Sequence, residues 1–211
     1  SNNSDYNMQD CWNSAMWTHV YSYIFPQIYQ SENATRDTHP ALFGITKILK
    51  VEVMHRVTDY YGPIIYRHFA NAEKHYQPDT QKEVYYEFFN ELDSAVVALT
   101  SYVEANPESN GFSRFDILLD GRYSSWIKFA NSLRMGRAMR ISAVEPDKGC
   151  VEFQEGLNNE YGVFEAETER VAVSTKSGYT NPLGELNLVW NETYMSAFVE
   201  SILTGYDDPR I

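Results

Sequence analysis

The segment from Tyr123 to Ser142 constrains the fold of this chain more than any other. Apolar residues recur in it at steps of three and four, the spacing of one helix face: Trp126, Phe129, Ala130, Leu133, Ala138 and Ile141. Small residues, which let a neighbouring helix come close, are mixed in: Ala130, Gly136 and Ala138. The segment also carries basic residues: Lys128, Arg134, Arg137 and Arg140. A helix that is apolar on one side and basic on the other needs two kinds of neighbour, so we predict that it is the central helix of the fold.

Two more segments with the helical period precede the central one. Residues 41–61 carry a wide apolar stripe, which predicts a helix buried between neighbours; the stripe contains Ile45, Leu49, Val53, Val57 and Tyr61. In residues 80–104, Thr80 is the predicted N-cap and Glu83 occupies the capping-box position. The three helices begin roughly 40 residues apart, a spacing typical of helical-repeat scaffolds. The sequence therefore predicts a mainly all-α fold of stacked helices.

Shorter elements complete the prediction. The helical pattern of residues 9–29 is interrupted by Pro26, so we expect a kink or an early end just before the proline. A short helix is predicted over residues 146–157, and a last helix from about residue 192 to residue 203. Between them, residues 161–182 are polar with brief alternation, which fits a small hairpin or a plain loop.

The helix predicted over residues 80–104 offers partners for the basic residues of the central helix. Glu83, Glu87 and Glu91 form an acidic stripe along it. We predict that these glutamates pair with the arginines of the central helix where the two helices pack. The alternative is that the arginines contact an anionic ligand.

Charge and motifs exclude several classes of function. A formal net charge of −12 and a pI near 4.8 leave no broad basic surface for phosphates, which argues against a nucleic-acid partner. No phosphate-binding glycine loop, HExxH, GxSxG or CxxC motif occurs, and the histidines lack metal-ligand spacing. We therefore predict no cofactor, no metal and no catalysis. Glycosidase chemistry needs two carboxylates across a sugar, and an acidic chain leaves it open as a weaker alternative.

In three separated segments, WIKFANSLRMGRAMRIS (126–142), ITKILKVEVMHRVTDYYGPIIY (45–66) and the closing NETYMSAFVESILTGYDDPRI (191–211), the chain resembles a known family. It is the SusD/RagB family of outer-membrane nutrient-binding lipoproteins of Bacteroidetes. Residues 126–142, WIKFANSLRMGRAMRIS, resemble the family's central helix nearly position by position. Residues 45–66 resemble its helix ending in T-D-x-Y-G-D-I-P-Y, although here the aspartate is missing and the proline has moved. The closing residues 208–210, Asp-Pro-Arg, resemble the family's D-P-R, and residues 181–183 resemble an N-P-L found between these segments.

The resemblance covers nearly the whole chain and implies a tetratricopeptide-like helical scaffold with loop-rich insertions. Family members are much longer, so we expect residues 1–211 to be the N-terminal helical portion of an incomplete domain, with the C-terminal half outside this chain. The family's secretion signal and lipid-bearing cysteine are not found here, since Cys11 is not in a lipobox. We expect contact with the outer membrane only through such a lipid anchor.

The family's function is implied by analogy. Members lie on the cell surface over a TonB-dependent transporter of the SusC type, to which they deliver oligosaccharides or, in some members, peptides. The resemblance therefore implies a non-catalytic glycan-binding protein with a SusC-like partner. A helical-repeat module that binds only protein, and a peptide-binding RagB-like protein, are the alternatives.

The candidate ligand-binding residues come from physical reasoning, because the family has no invariant ligand motif to carry over. The chain is 15% aromatic, and flat rings with a polar edge suit sugar surfaces as well as protein cores. Aromatic residues near predicted loops could stack on a sugar: Tyr6, Trp12, Tyr66 and Tyr179. For each of them, core packing or an idle surface ring is the alternative.

Overall fold

The computed structural model describes residues 9–70, 76–165, 169, 171–173, 178–191 and 194–210. In this part of the chain the structure is helical, and one isolated antiparallel bridge, between Ile64 and Asp79, is the only β pairing. The mainly all-α prediction is confirmed. The α-helices follow in this order: α1 (Asp10–Asn13), α2 (Ala15–His19), α3 (Phe25–Thr35), α4 (Pro40–Tyr61), α5 (Gln81–Ala105), α6 (Tyr123–Ile141), α7 (Pro146–Leu157), α8 (Pro182–Leu188) and α9 (Ala197–Gly205). A π-helical turn, Val20–Ile24, joins α2 to α3.

The chain divides into two compact units, Ser1–Val171 and Ala172–Ile211. In the first unit α3 to α7 pack in chain order, each against the next, and α4 also touches α6. The largest fully buried side chains include Trp126, Phe25, Phe88, Phe89, Ile48, Met54, Ile64, Leu92, Leu99 and Ile127. Because each such side chain contributes about 1.5–3 kcal/mol on burial, packing between the helices stabilises this unit.

The helix ends follow local signals in the sequence. At the start of α5 the Thr80 side chain accepts a hydrogen bond from the Glu83 backbone N–H at 3.3 Å, and Glu83 accepts one from the Thr80 backbone N–H at 2.9 Å. The predicted capping box is confirmed. The α4 helix ends where Gly62 adopts a φ of 78°, a conformation that glycine adopts without strain. The interruption expected at Pro26 is the π-helical turn, after which α3 begins.

Close packing of α6 and α7 depends on two glycines of α7. A Cβ on Gly149 would lie 3.0 Å from the carbonyl oxygen of Ala138, and one on Gly156 would lie 2.9 Å from that of Asn131. The expectation that small residues let a neighbour approach α6 therefore holds at Ala138. It fails at Gly136, where a Cβ would meet open space.

The partners predicted for the basic residues of α6 were wrong. Arg134 does reach α5, but it pairs with Asp93 at 2.5 Å, and it also pairs with Glu152 of α7 at 2.5 Å. The remaining pairs are Lys128 with Glu169 at 2.8 Å and Arg140 with Asp59 at 2.8 Å. The predicted glutamates bind elsewhere: Glu83 to Arg67, Glu91 to Lys50, and Glu87 to Asn90.

The second unit contains α8 and α9 and carries many exposed apolar side chains. The predicted last helix begins later than expected, at Ala197. For residues 161–182 a small hairpin or a plain loop was predicted, and the described residues of that range contain no strand, which fits the loop. The exposed apolar residues of the unit are Val173, Tyr179, Leu183, Leu188, Val189, Trp190, Tyr194, Met195, Phe198, Val199, Ile202 and Tyr206. Among the helices of the described ranges, none is long and apolar enough to cross a membrane.

Candidate functional site

The N-terminal helices are held against the end of α4 by two tyrosines. Tyr61 Oη donates a hydrogen bond to the carbonyl oxygen of Asn13 and accepts one from the backbone N–H of Trp17 at 3.2 Å. Tyr60 Oη donates to the side-chain Oδ1 of Asn13 at 2.8 Å. Since Asn13 directly follows Trp12, these contacts fix the position of Trp12 at the C-terminal end of α4.

This junction presents aromatic rings to solvent. Trp12 is 65% exposed and Tyr60 is 56% exposed. Tyr61, in contrast, packs edge-on against Trp17 with ring centroids 5.3 Å apart. We call Trp12, Asn13 and Tyr60 the aromatic surface. An exposed indole, a phenol and an amide together offer apolar ring faces and hydrogen-bonding groups, the combination that a sugar ring needs.

The π-helical turn Val20–Ile24 connects this junction to the segment that follows α4. Tyr21 Oη donates a hydrogen bond to the carbonyl oxygen of Ile65 at 2.8 Å, and the Tyr21 ring packs edge-on against Phe25. Burial raises the pKa of Tyr21, so its hydroxyl stays protonated and remains a donor. Turns of this kind are rare in helices and frequent at functional sites.

Tyr66, one of the candidate ligand-binding residues, lies in the core. It is 2% exposed, its ring is stacked near that of Phe25, and its hydroxyl donates to Glu91. The carboxylate of Asp79 accepts hydrogen bonds from the backbone N–H groups of Tyr66 at 3.0 Å and Arg67 at 2.9 Å, which draws this loop onto the helices. The Tyr66 ring therefore has no face open to a sugar in this structure, and core packing is the role its contacts support.

The other candidate residues are distributed over the chain. Trp12 is part of the aromatic surface. Tyr179 is exposed in the second unit. Tyr6 lies outside the described residues. Ligand contact by Trp12 and Tyr179 stays a prediction.

A cleft of about 470 Å³ opens where α4 and α6 end and α5 begins. We call it the helix-end cleft. Its polar side chains are Asp59, Gln81, Lys82, Tyr85, Tyr86, Arg140 and Glu145, and its apolar floor contains Ile141 and Val144. The volume falls within the range of about 300–1,000 Å³ that is usual for small-molecule sites.

The polar groups of the helix-end cleft form two sets of contacts. Asp59 accepts a hydrogen bond from Tyr85 Oη at 2.6 Å and pairs with Arg140 at 2.8 Å. Burial and the neighbouring Asp59 raise the pKa of Tyr85 to about 12, so its hydroxyl donates at neutral pH. Glu145 pairs with Lys82 and accepts a hydrogen bond from Tyr86 Oη at 3.1 Å. These two contacts, from Lys82 and then Tyr86, hold the pKa of Glu145 below its usual value.

A comparison with protein families finds one that accounts for the whole chain. Residues 1–211 match the family described as SusD-like, "Susd and RagB outer membrane lipoprotein". The chain belongs to the SusD-like family. The resemblance of the three sequence segments is thereby confirmed. A comparison with curated proteins gives no match.

Solved structures of SusD homologues are similar along the same length. A SusD homologue from Bacteroides vulgatus ATCC 8482 is 43% identical with a TM-score of 0.91, and the match covers 99% of this chain and 42% of that one. A chitin-binding SusD homologue from Flavobacterium johnsoniae is 38% identical with a TM-score of 0.93, covering 100% of this chain and 43% of that one. A SusD-like protein from Bacteroides thetaiotaomicron VPI-5482 is 28% identical with a TM-score of 0.86. The chain thus spans less than half the length of these SusD homologues.

Sequence reasoning missed two features of this SusD-like chain, Tyr60 and the helix-end cleft. The apolar stripe of α4 places Tyr61 on the buried side, so the adjacent Tyr60 must point elsewhere. The two adjacent tyrosines in the sequence therefore indicated that Tyr60 is directed away from the core. The cleft had no comparable signal, because it is built from the ends of three helices that are distant in sequence.

Proposed function

We propose that this SusD-like chain is the N-terminal part of a non-catalytic cell-surface protein that binds oligosaccharides and delivers them to a TonB-dependent outer-membrane transporter of the SusC type. The observation that carries the proposal is the likeness to the chitin-binding SusD homologue, which is 38% identical over all of this chain. The aromatic surface supports it, since Trp12 and Tyr60 are large exposed rings that a sugar could cover.

Calorimetric titration of the full-length protein tests the binding step. The panel contains chitin oligosaccharides, other neutral glycans and mixed peptides. We expect binding of at least one glycan series and none of the peptides. Binding of peptides alone would favour a peptide-uptake role instead, and no heat with either class would contradict the proposed function.

A second experiment addresses the transporter. A purified outer-membrane transporter of the SusC type from the same organism is mixed with the full-length protein and analysed by size-exclusion chromatography. We expect the two proteins to elute together. A protein that joins the transporter but binds neither glycan nor peptide would be a helical interaction module.

The absence of catalysis and the location are tested separately. A reducing-sugar assay on each bound glycan should show no release of new chain ends over hours, whereas steady release would identify a hydrolase. The family's description as outer-membrane lipoproteins supports surface anchoring through a lipid. Protease treatment of intact cells should therefore remove the protein, and protection from the protease would argue against the surface location.

A further inference from the structure

The aromatic surface and the helix-end cleft meet at adjacent residues of α4. Tyr60 belongs to the aromatic surface, and the residue before it, Asp59, forms one wall of the cleft. Successive residues of an α-helix point about a quarter-turn apart around an axis, and a helix with its side chains is about 10–12 Å wide. The two features therefore lie on neighbouring sides of one helix end, within reach of a single extended ligand.

The walls of the cleft are held in place before any ligand arrives. Asp59 is bound by both Tyr85 and Arg140, and Glu145 by both Lys82 and Tyr86. Each carboxylate keeps lone pairs that these contacts leave free, and Arg140 has more N–H groups than its contacts use. Groups fixed in this way lose little conformational entropy when they bind a hydroxyl.

The charges in the cleft favour a neutral ligand. Each of its carboxylates, Asp59 and Glu145, has a cationic partner, Arg140 and Lys82 respectively. A charged ligand would have to displace one of these partners, whereas a hydroxyl group can join the existing contacts. The apolar floor at Ile141 and Val144 suits the C–H side of a sugar ring, and Val144 is 77% exposed, so the floor is open to solvent.

The Tyr86 ring does not provide the stacking face. The ammonium groups of Lys82 and Lys148 each lie 5.4 Å from its centroid and occupy the space over the ring. Contact with a sugar in the cleft would therefore be hydrogen bonding above an aliphatic floor. This differs from the open rings at the aromatic surface.

We propose that the helix-end cleft is a second subsite for a neutral sugar unit, filled by the same oligosaccharide that covers the aromatic surface. The proposal rests on the proposed function and adds to it a preference for chain length. An oligosaccharide long enough to occupy both places binds more tightly than a disaccharide, because its second contact is intramolecular.

The test is calorimetry with chitin oligosaccharides from dimer to hexamer on the full-length protein. Val144→Trp fills the cleft with a bulky side chain at an exposed position, and Val151→Trp makes the same change at an exposed position of α7 outside it. We expect V144W to weaken hexamer binding about tenfold and leave dimer binding at the aromatic surface nearly unchanged. V151W should bind both like the unchanged protein.

The possible results separate this proposal from the function on which it rests. If V144W binds the hexamer as the unchanged protein does, the cleft is not a subsite, although glycan binding stands. Equal affinity of the unchanged protein for dimer and hexamer also overturns the second subsite. If another neutral glycan is the ligand, the same variants are titrated with its dimer and hexamer under the same criteria. If no glycan binds at all, the proposed function and the subsite both fail.

Discussion

The carboxylate of Asp116 accepts a hydrogen bond from the indole Nε1 of Trp126 at 2.8 Å. The same carboxylate accepts hydrogen bonds from the backbone N–H groups of Leu118, Leu119 and Gly121 at 2.9–3.0 Å. Both Asp116 and Trp126 are buried. One acidic side chain thus closes the loop before α6 and sets the position of the largest residue in the core.

Replacement of Asp116 by alanine should destabilise the first unit by about 2–4 kcal/mol, because a buried indole N–H and three backbone N–H groups lose their acceptor. Urea denaturation followed by tryptophan fluorescence measures the change. Asp37→Ala, at an exposed position, serves as the control and should shift stability by no more than about 0.5 kcal/mol. Equal stability of the two variants would show that the Asp116 contacts contribute little.

The stabilising effect of Asp116 should depend on pH. Burial raises its pKa, but its hydrogen bonds lower it by more, so the pKa lies below the usual aspartate value. Because the pKa of Asp116 is lower in the folded state, its ionised carboxylate stabilises the fold at pH values above the usual aspartate pKa, near about 3.9. This stabilisation is lost as the pH falls through the folded-state pKa. The difference in the free energy of unfolding between the unchanged protein and Asp116→Asn should therefore become smaller below about pH 4.

Lys50 holds two buried carboxylates together between α3, α4 and α5. Its ammonium lies 2.5 Å from Glu91 and 3.3 Å from Glu32. Lys50→Met keeps most of the side-chain length and removes the charge. It should cost about 2–3 kcal/mol, because both carboxylates lose one cationic partner and keep Lys47, which lies 3.3 Å from Glu32 and 3.8 Å from Glu91. Arg56→Met is the control: Arg56 is largely exposed, and its pair with Glu52 should contribute at most about 1 kcal/mol. Equal melting temperatures of Lys50→Met and Arg56→Met in thermal unfolding would contradict this account.

His55 makes folding sensitive to mild acid. Burial lowers its pKa from 6.5 to about 4, with a further contribution from the nearby Arg137 guanidinium. In the unfolded chain His55 therefore binds a proton below about pH 6.5, whereas in the folded chain it does so only below about pH 4. The free energy of unfolding falls as the pH falls between these two values. We expect a loss of about 2 kcal/mol between pH 7 and pH 5, measured by urea denaturation. The free energy of unfolding of His55→Gln should depend less on pH. If both proteins show the same pH dependence, the loss of stability comes from other groups.

Local signals in the sequence predicted α4 to α7 well. Proline marks the start of α7, apolar spacing marks α6, and both helices lie within one residue of their predicted bounds. The Thr80–Glu83 capping box sets the start of α5, since it requires only residues three apart. Such signals work because each is contained within one or two turns of the same helix.

Contacts between distant residues were not predictable in the same way. The acidic stripe indicated that arginines of α6 pair with α5, but spacing could not show that Arg134 meets Asp93 instead of Glu91, which lies half a turn away. Tyr66 was a candidate for sugar stacking because it lies near a predicted loop, and core packing was the alternative. The carboxylate of Asp79, thirteen positions away, holds that loop on the core, and no local pattern reveals such a contact.

The aromatic surface should be the main contributor to glycan affinity. Trp12→Ala and Tyr60→Ala remove exposed rings, so each should weaken glycan binding about tenfold, equivalent to about 1.4 kcal/mol. Trp12→Ala should leave the melting temperature nearly unchanged, whereas Tyr60→Ala also removes the hydrogen bond to Asn13 and should lower it slightly. Phe115→Ala removes an equally exposed ring from the loop before α6 and should not alter binding. Calorimetry measures the glycan affinity of each variant. Equal affinities of all three variants and the unchanged protein would contradict a role of the aromatic surface in glycan binding.

The exposed apolar residues of the second unit should make the 211-residue chain self-associate when it is produced by itself. Contiguous apolar patches of more than a few hundred Å² are rare on soluble monomers and mark places where protein contacts form. Phe198→Asp and Ile202→Asp add charge to α9. They should therefore lower both the binding of a dye that reports exposed apolar surface and the apparent mass in light scattering. Val97→Asp adds the same charge at an exposed position of α5 and should change neither. An unchanged chain that is monomeric and binds no dye would contradict this prediction.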